Sequence, residues 1–142
     1  MRVSEFSLLL MVKHPKADLS GLPHELSLRA KRIWKAGELR MTPGGIPLSG
    51  VHQHSYCGLE IDLAPHSTLA QAIEDFIARL RPRRSSLDRL VGTGARLDLI
   101  VEWYSPGNTG EAFPPTLLGA LADMNIALGL DIYGDKPLGL CG

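Results

Sequence analysis

Two histidines, a tyrosine and a cysteine fall within six positions of the sequence, at His52, His54, Tyr56 and Cys57. Histidines two positions apart on a strand point the same way, and neutral imidazoles bind zinc, copper or iron. A cysteine thiolate close to a histidine base is a nucleophile in many enzymes. The stretch therefore suggests a metal site or a cysteine nucleophile, unless it is an ordinary β-strand.

The side-chain alternation of this stretch favours a β-strand. Apolar and polar residues alternate from Cys57 to Leu63, which is typical of a strand with one buried face. When the alternation is extended backward, His52, His54 and Tyr56 share the polar face, whereas Cys57 points into the core. We therefore expect Cys57 to be a buried and unreactive thiol, because a reactive thiolate needs an electropositive and partly exposed setting.

The histidine pair has few other ligands near it in the sequence. A stable transition-metal site usually has three or four ligands, and no carboxylate lies within two residues of His52 or His54. His14, His24 and His66 follow no ligand spacing relative to the pair. We predict no catalytic residue, no metal and no cofactor. The alternative is a metal-binding or small-ligand-binding protein, or an enzyme, built around His52 and His54.

Charge and composition argue against several classes of partner. The sequence has 15 basic and 15 acidic residues, so no net charge draws the chain to nucleic acid or to an anionic membrane. The apolar run Leu8–Val12 is shorter than a signal-peptide core or a membrane span. The two cysteines, Cys57 and Cys141, form no CxxC motif. We expect a cytoplasmic protein with neither a nucleic-acid nor a membrane partner.

The hydrophobic pattern predicts the element order strand, helix, strand, strand, helix, strand, strand, helix, strand. The run Leu8–Val12 is apolar at both parities, as in a central strand that is covered on both faces. The clearest helix covers residues 69–80, where Thr68 and Gln71 have the spacing of a capping box. Residues 41–50 are rich in glycine and proline, which predicts a loop.

This order predicts an α+β protein with a largely antiparallel sheet and helices on one face. We expect a ferredoxin-like core with an added β-α-β unit, in a single domain over residues 1–134 followed by a flexible tail at 135–142. A short strand is expected around Phe113, and Asn125 is expected to follow the last helix in a left-handed conformation. The residues predicted to be buried are Leu9, Cys57, Leu59, Ile61, Ile73, Phe76, Ile77, Leu97, Leu99, Val101, Leu121, Leu130 and Ile132.

Four segments together have the pattern of a known family. They are "KRIWKAGE", which contains Trp34, Gly37 and Glu38, the strand "YCGLEIDL", a helix ending in "RPRRSSL", and the closing "PPTLLGALADMNIALGLDIYG". Over about residues 5–134 the chain resembles the bacterial domain-of-unknown-function family numbered 4279, with Tyr56 where the family pattern has tryptophan. The resemblance implies no established activity. Some members are associated with toxin and immunity genes, which implies a non-catalytic, immunity-like binding role.

Charge is unevenly distributed along the chain, with 14 basic and 9 acidic residues in 1–96 but one basic and six acidic residues in 97–142. If the apolar parity of each strand faces the helices, the opposite parity forms a surface that carries acids and tyrosines. Tyrosines are typical anchors of protein interfaces, and acids attract a basic partner. We therefore predict a protein-binding module for a basic protein, and a homodimer would also cover part of this face. The partner-binding residues are predicted to be Tyr56, Glu60, Asp62, Asp98, Glu102, Tyr104, Asp131 and Tyr133.

Overall fold

The structure is a computed structural model that describes residues 5–64 and 68–134, with Glu5 described by its backbone alone. The predicted tail at 135–142 and His66 lie outside the described residues. The strands and α-helices of the described ranges are β1 (Glu5–His14), α1 (Leu22–Leu26), β2 (Arg29–Trp34), β3 (Leu39–Met41), β4 (Pro47–Val51), β5 (Ser55–Ile61), α2 (Leu69–Leu80), α3 (Arg84–Gly92), β6 (Arg96–Tyr104), α4 (Pro115–Asp123) and β7 (Ile126–Tyr133).

Five strands form one sheet in the order β2-β5-β1-β6-β7. β1 is central, as predicted, and pairs antiparallel with both β5 and β6, while β5 also pairs antiparallel with β2. This is the split β-α-β arrangement of a ferredoxin-like core, in which β5 is inserted between β1 and β2. α4 then leads to β7, which pairs parallel with β6. The predicted α+β class and the added β-α-β unit are confirmed.

The helix boundaries follow from local signals in the sequence. The Thr68 hydroxyl accepts a hydrogen bond from the Gln71 amide (3.2 Å), and the Gln71 side chain accepts one from the Thr68 amide (3.3 Å). The predicted capping box of α2 is therefore confirmed. α4 begins at Pro115, where the missing amide hydrogen removes no intrahelical hydrogen bond. Asn125 follows this helix with a φ of 59°, so its predicted left-handed conformation is confirmed.

The core lies between the sheet and the helices. Leu10 of β1, Leu59 of β5 and Leu99 of β6 have no exposed surface, and the apolar stripe of α2 packs in the same cluster. Burial of this kind removes apolar surface from water and is the main source of stability in a domain of this size. The residues that are buried as predicted are Cys57, Leu59, Ile61, Ile73, Phe76, Ile77, Leu97, Leu99, Val101 and Leu121.

Three predicted core residues are not buried. Leu9 lies on the side of β1 opposite to Leu10 and is half-buried. Leu130 and Ile132 pair with Val101 and Trp103 of β6, so their parity is the one that faces the helices, yet they remain 47% and 59% exposed. β7 is an edge strand, and the described helices do not cover its C-terminal half. The prediction identified the correct side of the strand but not the end of the covered area.

The predicted loop at 41–50 is wrong, because these residues belong mainly to a β-hairpin formed by β3 and β4. The glycines and prolines form the turn: the Gly45 amide donates to the Thr42 carbonyl, the Thr42 amide donates to the Ile46 carbonyl, and Gly45 has a φ of 85°. A positive φ of this kind favours glycine. No strand forms around Phe113, so that prediction is also wrong.

The side of the five-stranded sheet away from the helices is called the open face here. Tyr56 lies over Gly58 on this face, since a β-carbon at Gly58 would be 2.7 Å from the Tyr56 Oη atom. Ile100 lies over Gly129 in the same way, with its Cδ1 atom 2.7 Å from the corresponding position. Both glycines thus let a large side chain lie along the sheet. On this second side of β1, Leu9, Met11 and Lys13 are half-buried, so the predicted cover is partial in the described structure.

Candidate functional sites on the open sheet face

The eight predicted partner-binding residues do not form one continuous surface. Seven of them have the parity of the open face, and Asp62 follows the last residue of β5. Glu102, Tyr104, Asp131 and Tyr133 lie together on β6 and β7, whereas Tyr56 lies beside β2 with Trp34. The open face therefore carries two separate candidate sites, one acidic and one bounded by aromatic and basic residues.

The first site, called the acidic corner, consists of Glu102, Tyr104, Asp131 and Tyr133. The parallel register of β6 and β7 places Glu102 beside Asp131 and Tyr104 beside Tyr133. The two tyrosine rings stack with centroids 4.9 Å apart and an interplanar angle of 16°. The Tyr133 hydroxyl donates to the Asp131 carboxylate at 2.9 Å, and this hydrogen bond, with the charge of Asp131, raises the pKa of the Tyr133 phenol.

Neither carboxylate of the acidic corner has a basic partner among the described residues. Within the described ranges, Glu102 accepts a single, long hydrogen bond, 3.4 Å, from the Ser7 hydroxyl, and Asp131 accepts one from Tyr133. The other predicted acids are paired: Arg29 lies 3.6 Å from Glu60 and 3.5 Å from Asp62. Arg96 lies 3.2 Å from Asp98. The negative charge of the open face is thus concentrated at β6 and β7, near their C-terminal ends.

The second site, called the ring cleft, is built on three stacked rings. The Trp34 ring stacks on His52, with centroids 4.2 Å apart and an angle of 12°, and on Tyr56, at 4.5 Å and 22°. The Arg32 guanidinium lies 5.4 Å from the centre of the Trp34 ring, within the range of a cation–π contact. Partial burial raises the pKa of the Tyr56 phenol, against the opposing effect of the Arg32 charge.

The family-pattern residues Trp34, Gly37 and Glu38 hold this stack in place. The Trp34 indole donates to the His54 carbonyl at 3.2 Å. The Gly37 amide donates to the His52 carbonyl, and the His52 amide donates to the Glu38 carbonyl, both at 2.9 Å. Gly37 has a φ of 90°, a conformation that favours glycine, and the Glu38 carboxylate accepts from the Lys35 amide at 2.6 Å. These three residues therefore shape the ring cleft.

The cleft beside these rings has a volume of about 460 Å³ and is lined by Lys13, Trp34, Arg40, Gly50, Val51, His52, Gln53, His54 and Tyr56. Of the lining residues that the structure describes, Lys13 and Arg40 are cationic and none is acidic. Lys13 and Arg40 were not predicted as site residues. Lys13 directly follows the apolar run Leu8–Val12 in β1, and a charged residue at that position in a central strand was a usable signal. Arg40 belongs to β3 and directly precedes residues 41–50, which were predicted to form a loop.

The geometry at the histidines and at Cys57 does not assemble a metal site or a nucleophile. Among residues 5–64 and 68–134, no group of three or more histidines, cysteines or carboxylates could hold a metal ion. His52 uses its ring face to stack on Trp34. Cys57 is fully buried on the helix side of the sheet, and burial raises the pKa of its thiol to about 11. Its predicted position inside the core is confirmed.

His14 has a structural position at the end of β1. It is 3% exposed, and its Nδ1 atom accepts hydrogen bonds from the amides of Lys16 (3.1 Å) and Ala17 (2.9 Å). Its Nε2 atom lies 2.9 Å from the Thr93 hydroxyl. Because Nδ1 is an acceptor, the neutral tautomer with hydrogen on Nε2 fits this arrangement. His14 therefore ties the end of β1 to the residues that precede β6.

Comparison with known proteins identifies no relative of this chain. No protein-family model matches the sequence, and no curated protein or solved structure is significantly similar to it. The resemblance to the family numbered 4279 therefore stays a prediction. Within the described part of the chain, none of the helices is both long enough and apolar enough to cross a lipid bilayer.

Proposed function

We propose that this chain is a non-catalytic binding module that holds a basic segment of a partner protein at the acidic corner. The observation that carries the proposal is that two pairs of like residues lie opposite each other in the register of β6 and β7. Glu102 and Asp131 lie side by side with no basic partner in the described chain, next to the stacked rings of Tyr104 and Tyr133. Two neighbouring carboxylates repel each other, and a cation placed between them relieves that repulsion.

The edge position of β7 supports a protein as the ligand. No described strand pairs with the outer edge of β7, so its backbone groups there are free to pair with an added strand. Leu130 and Ile132 project from the other side of the same strand and are 47% and 59% exposed. A basic extended segment along β7 would contact carboxylates and tyrosines on one side and apolar side chains on the other. Nucleic acid would be repelled by the same carboxylates.

The alternative of an enzyme built around His52 and His54 has less support. Cys57 is the thiol nearest to these histidines in the sequence, but it is buried on the opposite side of the sheet with a raised pKa. A thiolate is the reactive form of cysteine, so this environment disfavours cysteine catalysis. As part of the same proposal, we expect the chain to belong to the family numbered 4279, to have an immunity-like role and to be cytoplasmic.

The test compares capture of basic proteins by the native chain and by two variants of equal charge. The chain is immobilised and exposed to a lysate of its native host, and a captured basic protein is then purified and titrated by calorimetry. We expect Glu102→Lys/Asp131→Lys to weaken binding at least about tenfold, since close charge pairs at interfaces are worth more than this. Glu74→Lys/Asp75→Lys changes two exposed acids of α2 by the same charge and should bind like the native chain.

The ionic-strength dependence provides a second criterion. Binding at the acidic corner should weaken as salt rises from about 0.05 to about 0.5 M, because charges near the surface are screened over about 10 Å at 0.1 M. Equal binding by both double variants would refute the proposal. If Glu102→Lys/Asp131→Lys alters only the self-association of the chain in sedimentation, the face is a homodimer contact and the proposed partner is wrong.

A further inference from the structure

We propose that the ring cleft is a second binding site, which takes a small organic anion: a carboxylate or phosphate group carried on a planar body. This site lies on the same open face as the acidic corner, on the other side of the central strand β1, and shares no residue with it. The inference rests on the charge of the lining residues, the shape of the ring wall and the position of the β3–β4 hairpin.

The charge of the cleft favours an anion. Lys13 and Arg40 contribute two positive charges to the lining, and no carboxylate of residues 6–64 or 68–134 lines it. Lys13 forms no ion pair within the described residues. The basic residue opposite it in the register, Arg96, is paired with Asp98 at 3.2 Å. The positive charge of Lys13 is therefore left for a ligand.

Arg40 is held in position but keeps donors for a ligand. Its Nη1 atom donates to the Ser49 carbonyl at 3.2 Å, across the hairpin. A guanidinium has five N–H donors in a rigid plane, so this contact fixes the group while leaving other donors available. Planar donors of this kind match a carboxylate or phosphate group.

The ring wall favours a planar body on the anion. Trp34, His52 and Tyr56 form a stack that hydrogen bonds to the His54 carbonyl and the Glu38 carbonyl hold in place. Such a wall is apolar and rigid, so little conformational entropy is lost when a flat ligand lies against it. The cavity of about 460 Å³ is within the ordinary size range for small-molecule sites.

Binding of an anion in the ring cleft should stabilise the β3–β4 hairpin. β3 and β4 form a two-stranded sheet of their own, and all eight residues of these strands are exposed. A two-stranded sheet with little burial is marginally stable. Since Lys13 belongs to β1 and Arg40 to the hairpin, an anion bound by both would connect the hairpin to the main sheet. We therefore expect the ligand to slow hydrogen exchange at the Thr42 and Gly45 amides.

The test is a titration followed by two-dimensional ¹H–¹⁵N NMR, with the Trp34 indole N–H as the reporter. Phenyl phosphate is the probe, and phenol and inorganic phosphate separate the contributions of the ring and the charge. We expect saturable shifts of the Trp34 signal with a Kd below about 1 mM for phenyl phosphate. Phenol and inorganic phosphate should each bind at least about tenfold more weakly, because phenol lacks the anionic group and inorganic phosphate lacks the ring.

Three variants, each of which removes one positive charge, test the location of the site. Lys13→Gln and Arg40→Gln should each raise the Kd for phenyl phosphate about tenfold, as expected for loss of a hydrogen bond to a charged group. Lys31→Gln removes an exposed charge of β2 outside the cleft and should leave the Kd unchanged. The same spectra show that each variant is folded, and Lys13→Gln tests the site without altering the hairpin.

Three outcomes would overturn the inference. One is the absence of saturable binding of phenyl phosphate up to about 10 mM, a concentration far above a useful Kd. Another is equal weakening in Lys13→Gln and Lys31→Gln, which would indicate general electrostatic attraction. The third is equal affinity for phenol and phenyl phosphate, which would mean that the cations contribute nothing. None of these results bears on the acidic corner, which has its own variants.

Discussion

Replacement of Trp34 by alanine is the most direct test of how the ring cleft is built. The change removes stacking on His52 at 4.2 Å and on Tyr56 at 4.5 Å, each worth about 0.5–1.5 kcal/mol. It also removes the indole hydrogen bond to the His54 carbonyl, worth about 0.5–1.5 kcal/mol. We therefore expect Trp34→Ala to lower the free energy of unfolding by about 1.5–4.5 kcal/mol.

A double-mutant cycle isolates the stacking from the other losses. The native chain, Trp34→Ala, His52→Ala and the double variant are unfolded in urea, with far-ultraviolet circular dichroism as the common probe, because the fluorescence of Trp34 is lost in two of the four proteins. The coupling between the two rings should be about 0.5–1.5 kcal/mol. Leu118, exposed on α4, gives the control pair, and Trp34→Ala with Leu118→Ala should be additive. A Trp34–His52 coupling below about 0.3 kcal/mol, the usual error of additivity, would refute the stack.

The remaining predictions concern the core and the absence of metal chemistry. Phe76→Ala should lower the free energy of unfolding by about 3–5 kcal/mol in urea, because Phe76 is 1% exposed; a cost below about 1 kcal/mol would contradict its place in the core. In a Cys141→Ser background, Cys57 should not react with a thiol reagent at pH 8 until the chain unfolds. Since its pKa is raised to about 11, the folded state should lose up to about 3 kcal/mol of stability as pH rises from about 8.5 to about 11, and Cys57→Ala should abolish that part of the loss. Purified protein should retain no metal after dialysis; a stoichiometric metal that is lost in His52→Ala/His54→Ala would show the opposite.

Much of the fold could be predicted because the relevant signals are local or periodic. The capping box at Thr68 and Gln71, and the left-handed Asn125, depend on residues a few positions apart. The parity of β5 depends on a period of two, which identified Cys57 as buried. The central position of β1 followed from apolar residues at both parities. In each case the physical cause lies within one element and its ends.

The errors arose where burial depends on which elements cover a residue. Leu130 and Ile132 have the predicted parity, but the described helices end short of them on the edge strand. The β3–β4 hairpin was missed because its strands are three and five residues long and fully exposed, so they show no alternation. As a result Arg40 was missed, and with it the basic side of the ring cleft. Apolar and polar residues alternate where one face of a strand packs on a core, and an exposed hairpin has little such packing.

The charge asymmetry of the sequence becomes a spatial asymmetry through the order of the strands. β2, β5 and the hairpin come from the basic first 96 residues and lie on one side of the central strand β1, whereas β6 and β7 lie on the other. Because strands from the same part of the sequence are neighbours in the sheet, the charges of that part lie close together. Ion pairs reduce the charge of the remaining acids, since Arg29 lies beside both Glu60 and Asp62 and offsets one of their two charges, and Arg96 offsets the charge of Asp98.

Two sites of opposite charge on one sheet face follow from this arrangement. The ring cleft and the acidic corner are built from different strands, and no hydrogen bond or ion pair between described residues joins Lys13 or Arg40 to Glu102 or Asp131. Charges separated by more than about 10 Å at ordinary ionic strength are largely screened from each other. A ligand at one site should therefore change the affinity of the other only if it alters the backbone of β1, which both sites adjoin. Hydrogen exchange along β1, measured with phenyl phosphate bound, would reveal such coupling, and unchanged exchange there would mean that the two sites act independently.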